Sequence, residues 1–176
     1  VYVGSQSVEG PNWKVAYDGY LDFYHLPILH KDTFGPDLGN QAIYDAWGPH
    51  QRVSAPDPRL LALDGTPPED WPFDLLTDGV WTIFPHTSIA SFPVRLDNQS
   101  GPGASGDPVG GRMYMVSTLY PGNDPDTSVT VQHFLAAFEL TDPLRRAIEA
   151  QQAFLLRVVR DEDYFTGHRV QRALKL

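Results

Sequence analysis

Apolar and aromatic positions recur at helical spacing over residues 12–30, which predicts an amphipathic, aromatic-rich helix interrupted near Pro27. Residues 43–55 read as a strand. Residues 56–78 read as loop or short helix, punctuated by Pro56, Pro58, Pro67, Pro68 and Pro72. Two β-favouring runs, Gly79–Phe84 and His86–Leu96, flank Pro85. Asp97–Gly111 is rich in Gly, Pro and Ser and reads as a long loop. Alternation returns in Arg112–Tyr120, with Met113, Met115 and Ser117 on one face and Tyr114, Val116 and Thr118 on the other. Pro121–Asp126 reads as a turn and Thr127–Leu140 as a last strand. Thr141-Asp142-Pro143 is a helix start, a cap followed by proline at the first helical position. Helical spacing then runs to Leu176, with a break near Asp161–Asp163. Helix, antiparallel strands and a long C-terminal helix define an α+β layout, with helices packed on one sheet.

The chain has 176 residues, enough for one domain over residues 1–176 with a sizeable core. It contains no apolar run long enough to cross a membrane. No basic and apolar leader opens it, so a cytoplasmic location is the default. Val1 is not Met and the last residues still read as helix, so the chain is expected to be a piece of a longer protein. The net charge is −9, and the acidic balance argues against a nucleic-acid partner. Cysteine is absent. That removes disulfides, thiolate zinc sites, cysteine nucleophiles and any iron–sulfur cluster that needs two cysteines.

Candidate chemistry concentrates in Asp22-Phe23-Tyr24-His25 and His30. Two histidines and a carboxylate on one face suit Fe(II), leaving other positions open. On an ideal helix His25 and His30 would diverge by about 140°. Pro27 lies between them, and its disruption of the helix could let the rings converge. Asp22 precedes His25 by three residues and could accept a ring N–H of a ligating histidine, fixing its tautomer. His50, His86, His133 and His168 read as core or surface groups, with His86 and His133 able to face a pocket. Phe23, Leu26, Trp81, Phe84, Met113, Met115, Phe134 and Phe138 lie on elements near the paired histidines, and some of them should line an apolar pocket. Neither HExxH nor GxSxG is evident, so neither a zincin-type hydrolase nor a serine nucleophile is supported.

The stretch Asn12-Trp13-Lys14 through Asp22-Phe23-Tyr24-His25 to His30 closely resembles the iron motif of the Rieske non-haem iron ring-hydroxylating oxygenase α-subunit family. Gly48-Pro49-His50-Gln51-Arg52 and Trp81-Thr82-Ile83-Phe84-Pro85-His86 resemble the strands that follow in that family, with His86 where Asn is common. Asp161-Glu162-Asp163-Tyr164 with Val170-Gln171-Arg172-Ala173-Leu174 resembles its closing helix. The resemblance covers nearly the whole chain. It implies a helix-grip fold (START and Bet v1-like), an antiparallel sheet packed around a long C-terminal helix. It implies mononuclear Fe(II) on His25, His30 and Asp163, with Asp161 and Glu162 as alternatives for the third ligand. It implies that Asp22 is the bridge passing an electron from the Rieske cluster of a neighbouring subunit. The family's [2Fe-2S] domain, with its two Cys and two His, is not in this chain, so only the catalytic half is expected here. The activity implied is hydroxylation of an aromatic or other hydrophobic small molecule with O2, by dihydroxylation, monooxygenation or demethylation. Electrons would come through a ferredoxin or reductase, in an assembly expected to be a homotrimer. Substrate specificity is expected to be spread over loops such as 31–42 and 97–111. The rival reading is a metal-free helix-grip module that binds a hydrophobic ligand.

Overall fold

The computed structural model describes residues 1–34, 42–54, 62–71, 79–96 and 111–174. Seven antiparallel strands form one sheet in the order β1-β7-β6-β5-β4-β3-β2. They are β1 (Tyr2–Gly10), β2 (Ile43–Trp47), β3 (His50–Ser54), β4 (Val80–Ile83), β5 (Thr87–Pro93), β6 (Arg112–Pro121) and β7 (Ser128–Ala136). Helices α1 (Trp13–Asp18) and α2 (Leu26–Leu29) follow β1. The C-terminal helical segment comprises α3 (Asp142–Val158), a π-helical turn (Val159–Tyr164) and α4 (Phe165–Ala173). The architecture is therefore α+β of the helix-grip type. No described helix is long and apolar enough to cross a membrane.

The side-chain period of the strands decides which face meets the helix. In β6, Met113, Met115, Ser117 and Leu119 are buried, as their alternation predicts. In β7, Ser128, Thr130, Gln132, Phe134 and Ala136 are buried. Helix α3 answers with Leu144, Ala147, Ile148, Leu155 and Val158 at three- and four-residue spacings. Met113, Met115, Phe134, Ile148 and Leu155 belong to one core cluster. A second cluster joins Val8, Ala16, Tyr17, Leu119, Val159 and Tyr164, and seats α1 against the sheet and the π-turn.

Four sequence expectations need correction. Residues 2–10 form a full edge strand paired to β7, although no strand was expected there. Its inward positions include Gly4, Gln6 and Gly10, so it carries no apolar alternation. The expected single strand at 43–55 is a hairpin, β2 to β3, closed by Gly48 at φ 60° and Pro49. The expected helix at 12–30 is two short helices. It stops at Asp18 rather than near Pro27, and Pro27 sits in the first turn of α2, where its missing N–H does no harm. The expected break at Asp161–Asp163 is a π-turn that keeps the helix running. The loop expected at 97–111 lies outside the described residues apart from Gly111. So do 35–41 of the 31–42 loop, and much of the stretch 56–78.

Candidate metal centre and its cavity

Asn12 opens this region. Its side chain accepts from the Lys14 backbone N–H at 2.8 Å and caps α1. Its own N–H donates to Gln171 Oε1, while Gln171 Nε2 donates to the Asp126 carbonyl at 2.9 Å. Gln171 thereby ties α4 to the start of α1 and to the β6–β7 turn. Gly167 allows the close approach, since a Cβ there would lie 2.9 Å from Pro11 Cγ.

After α1 the chain turns through residues 19–25. Asp22 Oδ1 shapes that turn by accepting the backbone N–H groups of Tyr24 (2.9 Å) and His25 (3.3 Å). The same oxygen lies 3.1 Å from His25 Nδ1. His25 and His30 then flank the single turn of α2 as its two caps. That geometry, rather than a kink inside a long helix, brings the rings together, with centroids 5.2 Å apart.

The third element is the π-turn. Asp163 Oδ1 lies 3.0 Å from His30 Nε2 and 3.7 Å from His25 Nε2. Glu162, the preceding residue, places Oε2 2.5 Å from His30 Nδ1, and its other oxygen accepts from the Thr33 hydroxyl. Ligand atoms of His25, His30 and Asp163 all fall within 4.8 Å of one another. Donors bonded at about 2.1 Å and at right angles sit about 3 Å apart, so the widest pair would have to close by up to about 1.8 Å to hold one ion. Each histidine turns Nδ1 to a carboxylate and leaves Nε2 for the shared point, an arrangement common around bound metals. Asp161 faces elsewhere and forms an exposed pair with Arg160 at 2.6 Å.

Electrostatics agree with this grouping. Burial of His30 disfavours its charged form, but the Asp163 and Glu162 carboxylates outweigh it and raise the imidazole above its ordinary value. Tyr20 and Tyr164 lie beside the centre. Burial first, and the nearby Asp163 charge as well, pushes both phenols up, so they stay neutral.

The centre opens on a cavity of about 450 Å³. Phe23, Leu26 and Met115 line it, as expected; Phe34, Phe92 and Leu155 add apolar wall that the sequence had not singled out. Trp81, Phe84, Met113, Phe134 and Phe138 are not among its lining residues, and Met113 and Phe134 are plain core. His86 and His133 also lie away from it, His86 stacked on Tyr120 and His133 against Tyr2. His133 sits on β7 at a position turned away from the helices, whereas His86 lies in the turn between β4 and β5 rather than on a strand. Neither His50 nor His168 lines it.

A helix-grip sheet that brings two histidines and a carboxylate together beside an apolar cavity has the donor types of a metal site. The chain belongs to the family described as ring hydroxylating alpha subunit (catalytic domain), whose model matches residues 1–98. No curated protein sequence matches it. Among solved structures, it is similar to naphthalene 1,2-dioxygenase from Rhodococcus sp. bound to indole, with TM-score 0.62 and 17% identity over 98% of this chain and 44% of that one. It is also similar to the quaternary ammonium Rieske monooxygenase CntA in complex with L-carnitine. There the TM-score is 0.60 and the identity 19%, over 100% of this chain and 39% of that one. The chain thus spans about two-fifths of these relatives' length.

Proposed function

We propose that this chain is the iron-binding catalytic half of a Rieske-type oxygenase that hydroxylates a hydrophobic small molecule with O2. The observation that carries the reading is the convergence of His25 Nε2 and His30 Nε2 on Asp163 Oδ1 at the wall of an apolar cavity. His25, His30 and Asp163 would hold mononuclear Fe(II), for which two imidazoles and one carboxylate are an apt donor set. When bound, the metal supplies the redox chemistry of O2 activation.

The protein's own residues do the rest. Asp22 and Glu162 hold the two rings by Nδ1, which fixes the tautomer that presents Nε2. Phe23, Leu26, Phe34 and Met115 exclude water and bind the apolar substrate body. Asp22 is 40% exposed while touching the more enclosed His25, and so links the inner ring to the surface. That position suits a bridge for electrons from a [2Fe-2S] domain outside this chain, fed by a ferredoxin or reductase. A homotrimer would bring such a domain from a neighbouring subunit.

The test is metal content after anaerobic reconstitution with Fe(II). One iron per chain in the wild type, lost in Asp163→Ala, is the expected result. Equal iron in both proteins would remove Asp163 from the site. No iron in either would favour the metal-free ligand-binding reading.

A further inference from the structure

We propose that the molecule this cavity takes carries a carboxylate on its apolar body, and that Arg95 recognises it. The proposal deepens the reading of the cavity as the substrate site and rests on it. Arg95 follows the end of β5 and is the only Lys or Arg among the described residues lining the cavity. It is half-buried, Nη1 is withdrawn from solvent, and among the described residues no acceptor meets that nitrogen. The neighbouring cation in the sheet is different: Arg112 is taken up by Ser91, with bonds of 3.1 and 3.2 Å to its hydroxyl.

A guanidinium drawn part-way out of water without a counter-charge is unfavourable. A ligand carboxylate removes that cost, because the planar fork of Arg matches its two oxygens. The rest of the wall is mostly apolar, as Val80, Phe92, Pro93, Met115 and Leu155 show. It therefore suits a hydrocarbon or aryl body rather than a second charge.

Placement also sets direction. Arg95 comes from the segment just past the end of β5, whereas His25, His30, Asp22 and Asp163 come from the helical segments and the turn between them. At the other end Asp22 adds a negative charge, and Asp163 offsets half the charge of an Fe(II) held there. The carboxylate is thus held at the sheet wall, and the apolar remainder is left to the rest of the cavity. Neutral arenes of the same shape would bind without this anchor.

The test compares 2-naphthoate with the neutral 2-naphthamide by calorimetry, on the full Fe(II)-loaded chain under argon. Wild type should bind the acid at least about tenfold more tightly, since hydrogen bonds to a charged group carry that much discrimination. Arg95→Gln should weaken the acid roughly ten- to hundredfold and leave the amide unchanged. Equal affinity for acid and amide in wild type overturns the proposal, as does binding of neither, or an acid preference that survives Arg95→Gln. If circular dichroism shows that Arg95→Gln does not fold, Arg95→Lys replaces it. Loss of the planar fork should then weaken the acid alone, and an unchanged acid affinity overturns the proposal. Iron content measured on the same samples separates the two readings. Acid preference without bound iron keeps this inference and removes the oxygenase; bound iron without acid preference does the reverse.

Discussion

At His30 the two ring nitrogens face two carboxylates with different expected jobs. Asp163 meets Nε2 and on the proposed reading would supply a ligand; Glu162 meets Nδ1 and would orient the ring. Glu162→Gln should therefore keep some iron but lower the affinity by about ten- to hundredfold, the usual effect of losing such a support. A Fe(II) titration of this variant beside Asp163→Ala checks the distinction; equal losses would erase it. Asp22→Asn should leave iron content nearly intact and abolish turnover in a system with its electron donor. Near-wild-type turnover would end the bridge role. The pH dependence follows from His30. Its raised pKa means that the metal-free ring keeps its proton to higher pH than an ordinary histidine near 6.5. NMR titration of the metal-free protein should show that higher midpoint. Iron must displace the proton on Nε2, so iron affinity should fall as pH drops through it. In the metal-free protein the linkage runs the other way. Stability from this group is fully present below the unfolded value and is lost as pH rises through the folded one.

At the scale of elements, β6, β7 and α3 are held by complementary apolar faces. Phe134 is fully buried between them, and Phe134→Ala should cost about 3–5 kcal/mol in denaturant unfolding. A cost under about 1 kcal/mol would mean that the site collapses around the deletion. Gly79 introduces β4 with φ 145°, and a Cβ there would stand 2.6 Å from the Val53 carbonyl oxygen. That contact leaves room only for glycine at the join between β3 and β4, beside the cavity. The π-turn matters for a different reason. Widening the helix lets two successive residues, Glu162 and Asp163, address opposite nitrogens of one ring.

On the scale of the whole molecule, the proposed metal centre would be a fastening. It would join the segment around α2 to the C-terminal helix, across 132 residues of chain between His30 and Glu162. A ligand that binds only the folded state stabilises it, by about 2.7 kcal/mol at a hundredfold excess over Kd. Fe(II) should thus raise the thermal midpoint of the wild type and leave that of Asp163→Ala unchanged. A midpoint insensitive to iron in the wild type would show that the centre does not span the two segments.

Much was legible from local pattern. Alternation in Arg112–Tyr120, the Thr141-Asp142-Pro143 start and the helical spacing of α3 are local properties, and they appear in the fold as read. His25, His30 and Asp22 stood out in one dense motif, and Asp163 only through the resemblance, with Asp161 and Glu162 as alternatives; that His25, His30 and Asp163 converge was decided by the fold. What the sequence could not contain was distance. Strand β1 has no apolar period, and its partner β7 lies 118 to 133 residues away along the chain; backbone pairing asks nothing of side-chain type. The role of Glu162 was hidden because an acidic run looks alike at every position until the π-turn aims each member. Arg95 was silent for a similar reason: a cation just past a strand end acquires meaning only when the tertiary structure sets it in the wall of an apolar cavity, where among the described residues nothing meets its Nη1. Residue types and periods are written along the chain; convergence and enclosure arise only when distant segments pack.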